Sequence, residues 1–310
     1  MKSGAKRDLA ASVKFRLLTM ARERSEELQY VLMRYAIERL LCRISQSPHA
    51  ERFILKGAIL SSGWEGGAYR ATKDLDLLGC GENSPDALAQ VFREVALADV
   101  EPDGLVFDPK TIVSEPIREE ASYPGVRIHI IAHMGKARIP LQVDIGFGDP
   151  VTPGPVNLEI PGMLDFKGPR MRAYPIESVV AEKFETLVRL GMKTGRIKDF
   201  YDLWYIATHF PFQGPVLQRA IRNTFRARGT PIPSDPPIAL TDEFEADPSK
   251  QGLWKAFTGR SGINDPGDLH QLLELLRSFL LPVVLSRQAE FAAAWHPSGP
   301  WQVRGETSRL

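Results

Sequence analysis

The sequence contains only two cysteines, Cys42 and Cys80, among 310 residues. Two thiols are too few for a disulfide framework or a cysteine metal site, so we expect a protein of the reducing cytoplasm. Long apolar runs are also missing, since none approaches the roughly 18 residues needed to cross a bilayer. The N-terminal residues contain no apolar stretch typical of a secretory signal. We therefore expect no membrane association.

An excess of charge of one sign is absent as well. The chain has 39 Lys and Arg residues against 38 Asp and Glu residues, which gives a formal net charge of +1. This balance excludes a surface that is basic throughout, but it permits a local basic patch. A hydrophobic fraction of 43% and a charged fraction of 25% are typical of a globular protein with a sizeable core.

The first half of the chain changes from helical to extended patterns. In residues 9–46 apolar side chains recur at steps of three and four, which predicts two helices. Residues 47–160 are predicted to form an α/β or α+β domain. Its strands include RFILKG and TKDLDLLG, and a helix covers residues 86–98. GVRIHIIAH and ARIPLQVDIGFGD are predicted to pair in antiparallel fashion through a tight turn near Met134 and Gly135.

The second half returns to helical periodicity. Residues 161–310 are predicted to form a mainly helical domain, with a loop at about 230–250 because that segment holds five prolines and five acidic residues. The predicted helices cover residues 177–190, 198–208, 216–226, 268–281 and 283–295.

Two aspartates interrupt the apolar run RATKDLDLLGC. On a strand, Leu75 and Leu77 point to one face, while Asp74 and Asp76 point together to the other. The two carboxylates are then about 7 Å apart at the backbone, so they can converge on one divalent cation.

A third aspartate follows the same alternation in LQVDIGF, where Asp144 faces away from Val143 and Ile145. If this strand lies beside the first one, three carboxylates crowd together. They would repel one another unless they are protonated or bridged by a metal, as in phosphoryl-transfer sites. The alternative is a solvated sheet face that carries ordinary acidic residues.

Basic residues stand on either side of these acids. In LKGAILSSGW, Lys56 ends a strand and Gly57 makes a turn, an arrangement that can present a lysine and backbone N–H groups to phosphate oxygens. Between Lys183 and Arg228 there are nine basic residues against three acidic ones. This excess indicates a local positive surface, and the alternative is a solvated helix face with i,i+4 ion pairs.

In their order along the chain, RFILKGAIL, RATKDLDL, QVDIGFGD, VAEKFETLVRLG and GRIKDFYDLW resemble the nucleotidyltransferase toxins of the AbiEii family. This family includes the MenT toxins and belongs to the DNA polymerase β-like superfamily. The resemblance implies an α+β fold: a polymerase β-like nucleotidyltransferase domain with a mixed sheet at 47–160, followed by a mainly helical domain at 161–310. Helices in residues 1–46 would pack on the core.

The resemblance also implies residue roles. Asp74, Asp76 and Asp144 would hold Mg²⁺ or Mn²⁺, and the same three residues are expected to act in catalysis. Lys183 is expected to grip the triphosphate and Asp199 to act in catalysis or to position Lys183. The expected nucleotide-binding residues are Lys56, Gly57, Arg189, Lys198, Ser61 and Ser62. The two serines are included because Ala58 follows Gly57, where the superfamily usually has glycine or serine.

The implied function is that of a toxin in a bacterial toxin–antitoxin or abortive infection system. It would transfer a nucleoside monophosphate from an NTP to an RNA acceptor, expected to be the 3′ end of tRNA. A cognate AbiEi-like antitoxin would neutralise it. Two alternatives remain open: a nucleotidyltransferase for small molecules such as aminoglycosides, which predicts an acidic acceptor pocket, and a module that binds a nucleotide or a partner without catalysis.

Overall fold

The computed structural model describes residues 8–63, 74–117, 125–259 and 266–303, apart from the side chain of Ser62. The chain divides into two compact units. The first unit comprises Met1–Gly148 and Val156–Ala173, and the second comprises Asp149–Pro155 and Tyr174–Leu310.

The first unit is built around a mixed sheet of seven strands, whose order is β3-β4-β5-β2-β1-β7-β6. Strands β5 and β2 are parallel, as are β1 and β7, and the other neighbours are antiparallel. The strands are β1 (Phe53–Lys56), β2 (Leu75–Gly79), β3 (Val106–Ile117), β4 (Gly125–Met134), β5 (Ala137–Phe147), β6 (Val156–Glu159) and β7 (Arg170–Ala173).

Three helices cover one face of this sheet. They are α1 (Leu9–Glu23), α2 (Leu28–Gln46) and α3 (Pro85–Ala96). Helix α2 packs on β5 and β7, while α3 packs on β3 and β4. Along β4 and β5 every second side chain is buried beneath the helices, so the intervening polar side chains lie on the opposite face. The prediction of an α+β fold with a mixed sheet is confirmed.

The second unit is mainly helical. Its helices are α4 (Ile176–Leu190), α5 (Ile197–His209), α6 (Gly214–Ala227), α7 (Asp242–Ala246), α8 (Pro248–Thr258) and α9 (Leu269–Val284). Strands β8 (Phe212–Gln213), β9 (Ala293–Trp295) and β10 (Trp301–Val303) form a small sheet with β9 in the centre. Within the described residues, no helix is long and apolar enough to span a bilayer.

The predicted helix at 283–295 is wrong. Helix α9 ends at Val284, and the chain returns as strand β9. Trp295 explains the return, because its indole packs 4.9 Å from the ring of Phe279 and its Nε1 donates to the carbonyl of Ala207 at 2.8 Å. Burial of this large side chain outweighs the local helical pattern.

The predicted loop at 230–250 is also wrong in its second half. A 3₁₀ turn covers Ile238–Leu240, α7 follows, and α8 begins at Pro248. The acidic residues there lie at helix starts, where the macrodipole favours them: Asp242 in the first turn of α7 and Asp247 at the N-cap of α8. Phe244 is fully buried and stacks on Phe200.

Candidate active site

A row of charged side chains crosses the polar face of the seven-stranded sheet. Lys56 on β1 is in register with Asp76 on β2, and Asp76 is in register with Asp144 on β5. Asp144 in turn faces Arg127 on β4, and Arg127 faces Glu115 on β3. Register partners on adjacent strands point to the same side of a sheet. We call these five residues the charged row.

The two central acids of the charged row come from parallel strands. Leu75, Leu77, Val143 and Ile145 are fully buried beneath the helices, which places Asp76 and Asp144 on the opposite face. The crowding of acids expected from the sequence required β5 to lie beside β2, and the two strands are indeed neighbours. Asp74 precedes the first residue of β2 and is exposed.

Asp144 is held by Arg127. The Nε of Arg127 lies 2.8 Å from Oδ1 of Asp144 and its Nη2 lies 2.8 Å from Oδ2, which makes a bidentate ion pair. Gln142 on the same strand adds its side-chain amide at 3.2 and 3.3 Å from the two oxygens. The hydrogen bonds to Asp144 raise the pKa of the Arg127 guanidinium, with smaller contributions from Glu115 and Asp74.

The turn after β1 approaches Asp76 closely. Gly57 has a φ of +77°, and a Cβ at this position would lie 2.0 Å from Oδ2 of Asp76. Only glycine fits such a backbone and such an approach. The Nζ of Lys56 lies near Gly146 on β5, since a Cβ there would be 3.3 Å from it. The turn and the lysine are therefore positioned at the acidic centre of the charged row.

Two serines that are predicted to bind the nucleotide, Ser61 and Ser62, follow this turn. Ser61 is buried in the 3₁₀ turn Ala58–Gly63, where its hydroxyl donates to the carbonyl of Ala58 at 2.8 Å. This hydroxyl is thus engaged by its own turn. The side chain of Ser62 lies outside the described residues.

The acids of the charged row supply hard oxygen ligands. Mg²⁺ in phosphate-handling enzymes is usually held by one or two carboxylates together with substrate phosphates and water, without a complete protein cage. Asp76 of the charged row and the exposed Asp74, which precedes it on the chain, supply two such carboxylates. In the described segments no cluster of three His, Cys, Asp or Glu side chains could hold a metal unaided.

The second unit contains a separate buried ion cluster. The Nζ of Lys183 on α4 lies 2.8 Å from Oδ1 of Asp199 and 2.6 Å from Oδ2 of Asp202, both on α5. Arg196 adds its Nε at 2.5 Å from Oδ2 of Asp199. Burial raises the pKa of the Asp199 carboxyl, but the ion pairs with Lys183 and Arg196 outweigh it and lower the pKa to about 2.

The other basic residues predicted here have different surroundings. The Nε of Arg189 is paired with Glu185 at 3.2 Å, and Glu185 also accepts from Arg228 at 2.9 Å. Lys198 is exposed on α5. Arg228 also contacts Asp149, which ties the crossover segment 149–155 to the helices of this unit.

Helix α6 presents arginines to solvent. Arg219, Arg222 and Arg226 follow an i, i+3, i+7 spacing, which places them along one face of the helix. Arg219 and Arg226 are exposed, and Arg222 donates to the backbone carbonyls of Gln288 and Ala289. We call these three residues the α6 arginine face.

Comparisons with known proteins give a family match and similar solved structures. The family profile described as nucleotidyl transferase AbiEii toxin, type IV TA system, matches residues 39–276. The structure is similar to that of the MenT4 nucleotidyltransferase toxin from Mycobacterium tuberculosis, with 16% identity, a TM-score of 0.44, and coverage of 84% of this chain and 76% of that one. It is also similar to JHP933 from Helicobacter pylori, with 15% identity, a TM-score of 0.46, and coverage of 79% and 88%. Among curated proteins, none matches the chain.

The family match covers more than half of the chain and includes both the charged row and the Lys183 cluster. The chain therefore belongs to the AbiEii family of nucleotidyl transferase toxins of type IV toxin–antitoxin systems, and it is a nucleotidyltransferase.

Proposed function

We propose that this protein transfers a nucleoside monophosphate from an NTP to an RNA acceptor. The acceptor hydroxyl attacks the α-phosphorus, a new phosphodiester bond forms, and pyrophosphate leaves. The observation that carries the proposal is the register of Asp76 with Asp144 on adjacent parallel strands, beside the turn at Gly57. Adjacent carboxylates of this kind can hold the metal ion that accompanies a triphosphate.

Asp74 and three residues of the charged row, Lys56, Asp76 and Asp144, have proposed tasks. Asp74 and Asp76 would hold Mg²⁺ or Mn²⁺, with Asp144 as the third acid. When bound, the metal supplies neutralisation of the triphosphate and acidification of the attacking hydroxyl. Asp144 would accept the proton of that hydroxyl once its pairing with Arg127 loosens. Lys56 and the N–H groups after Gly57 stabilise the charge that develops on the leaving phosphates.

Lys183 is proposed to stabilise the triphosphate as well, and Asp199 and Asp202 to position its ammonium group. Two buried carboxylates on one ammonium leave it little rotational freedom, which supports a positioning role for both acids. The nucleotide contacts predicted for Arg189, Lys198 and Ser62 stay predictions. The internal hydrogen bond of Ser61 favours a structural role for that hydroxyl.

The proposed acceptor is RNA, with the 3′ end of tRNA as the favoured site and an AbiEi-like protein as the antitoxin. The α6 arginine face supports this choice, because phosphate backbones are bound mainly through Arg and Lys. A small-molecule acceptor with several amino groups would instead be matched by an acidic surface.

A growth experiment tests the proposal in cells. Induced expression of the wild-type chain in a bacterial host is expected to arrest growth, and sequencing of RNA 3′ ends should reveal added nucleotides. The Asp76→Asn variant, expressed to the same level, should do neither. Growth arrest without any change at RNA ends would exclude RNA as the acceptor and favour a small molecule.

A further inference from the structure

Arg127 was not predicted from the sequence, yet it makes a bidentate ion pair with Asp144 in the charged row. We propose that Arg127 is the resident counter-ion of Asp144, so that a divalent cation entering the row must displace it. Arg127 would thereby set the metal affinity of the site. This inference rests on the proposed function of Asp74, Asp76 and Asp144.

The contacts of Asp144 support competition. Its two oxygens are both taken by Arg127 at 2.8 Å, and Gln142 approaches both of them as well. A bidentate guanidinium occupies the two lone-pair directions that a chelating cation would use. A metal can be chelated by both oxygens of Asp144 only after this pairing loosens.

The neighbours of Asp144 explain why a counter-ion is needed. Asp76 lies in register on the adjacent strand, where two carboxylates on the same face repel each other. Lys56 on the far side of Asp76 and Arg127 on the far side of Asp144 bracket the two acids. Each of the two acids is therefore flanked by a basic side chain of the sheet.

The pair is accessible enough for exchange. The side chain of Arg127 is 32% exposed and that of Asp144 is 22% exposed, so the guanidinium can swing into solvent without opening the core. The buried ion pair between Arg43 and Asp103 in the same unit, at 7% and 1% exposure, has no such freedom. Exchange at Arg127 is therefore compatible with an intact fold.

The test is a titration of the full-length protein with Mn²⁺, with free Mn²⁺ followed by electron paramagnetic resonance. In Arg127→Gln the dissociation constant should fall by about fivefold or more, because a competing charge is removed and a ligand is released. Arg127→Lys keeps the charge but contacts fewer oxygens, so its value should lie between those of the wild type and Arg127→Gln. Adding Asp144→Asn to Arg127→Gln should cancel the gain.

Arg138→Gln is the matched control. Arg138 lies on β5, on the same face as Asp144 and about 20 Å along the strand, and it is exposed. Its loss changes the net charge equally, but at this distance the effect is screened. Thermal unfolding of each variant verifies that it is folded. If Arg127→Gln does not fold, the comparison is made with Arg127→Lys.

The outcomes separate the inference from the proposed function. Unchanged or weaker Mn²⁺ binding by folded Arg127→Gln and Arg127→Lys would overturn the counter-ion role. If the wild type still binds Mn²⁺ and Asp76→Asn does not, the proposed function would remain supported. An absence of Mn²⁺ binding in the wild type and in both variants, with an NTP present, would overturn both. Tighter binding that requires Asp144 would support both.

Discussion

At the scale of single residues, the strongest constraint is the pairing of one lysine with two buried acids. Asp199 and Asp202 are 1% and 0% exposed, so neither can turn to water if Lys183 is removed. An uncompensated buried charge destabilises a fold far more than the intact pair stabilises it. The geometry that we propose to position Lys183 for catalysis therefore also makes this residue important for folding.

Lys183→Met is accordingly expected to lower the free energy of unfolding by about 3–5 kcal/mol. Urea denaturation followed by circular dichroism measures this change. Lys198→Met on the neighbouring helix is the control, since the exposed Lys198 side chain should contribute within about 0.5 kcal/mol. A loss below 1 kcal/mol for Lys183→Met would show that the two acids find other partners.

The pKa of Asp199 adds a pH dependence. Because this pKa is lowered from 3.8 to about 2, the ionised group stabilises the fold fully above pH 3.8. This stabilisation, roughly 2 kcal/mol, is lost as the pH falls towards 2. The difference in unfolding free energy between wild type and Asp199→Asn should shrink across that range. A constant difference between pH 2 and pH 5 would contradict the low pKa.

Residue by residue, the sequence is informative where alternation decides burial. Asp76 and Asp144 were assigned to one face because leucine, valine and isoleucine neighbours had to enter the core. Arg127 was missed, although a signal existed. Met134 and Ala137 pair at the turn, and seven residues back from Met134 and seven residues forward from Ala137 place Arg127 opposite Asp144.

At the scale of secondary-structure elements, the turn between β1 and the 3₁₀ segment Ala58–Gly63 controls the geometry of the charged row. It brings a glycine backbone against the carboxylate of Asp76. A side chain at Gly57 would have to move either the turn or the aspartate. Sequence alone favoured a glycine turn, but it did not show what the turn touches.

Gly57→Ala should therefore impair both stability and nucleotide transfer. The φ of +77° and the 2.0 Å approach to Asp76 act together. Gly81→Ala isolates the cost of the positive φ, because Gly81 has a φ of +88° with no atom within 4 Å of the added Cβ. We expect transfer to fall by at least about tenfold in Gly57→Ala alone, since small displacements of a catalytic group are costly. Equal activity in the two folded variants would argue against a role for this approach.

Elements with long, regular patterns were predicted well, and short or interrupted ones were not. The β4–β5 hairpin alternates over its whole length and was correct. Strand β3 was missed because Pro109 and Pro116 interrupt its pattern. Strands β9 and β10 have three residues each, too few for a period to appear, and their pairing depends on tertiary contacts of Trp295 and Trp301.

At the scale of the whole molecule, the balance of charge matters for the acceptor. The net charge of +1 gives no general attraction to RNA, so the proposed binding to RNA requires a local surface such as the α6 arginine face. Its two exposed members, Arg219 and Arg226, are the best candidates for phosphate contacts.

The double variant Arg219→Gln, Arg226→Gln should raise the KM for RNA by about tenfold and leave the KM for the NTP unchanged. The plot of log binding constant against log salt concentration should become less steep, because up to about two fewer counterions are released on RNA binding. Filter binding over a range of salt concentrations measures the slope. The double variant Arg24→Gln, Arg93→Gln is the control, since both of these arginines are also exposed. Equal slopes in the two double variants would exclude the α6 arginine face as the RNA surface.

The most direct test of the central claim is nucleotide transfer by the purified protein. The wild-type chain and Asp76→Asn are each incubated with bulk tRNA, Mg²⁺ and one labelled NTP at a time, and the RNA is separated on a gel. We expect the wild type to place label on tRNA from at least one NTP, in a reaction that chelation of the metal abolishes and Asp76→Asn does not perform. Equal labelling by wild type and Asp76→Asn, or no consumption of any NTP, would contradict the assignment of the charged row as the catalytic centre.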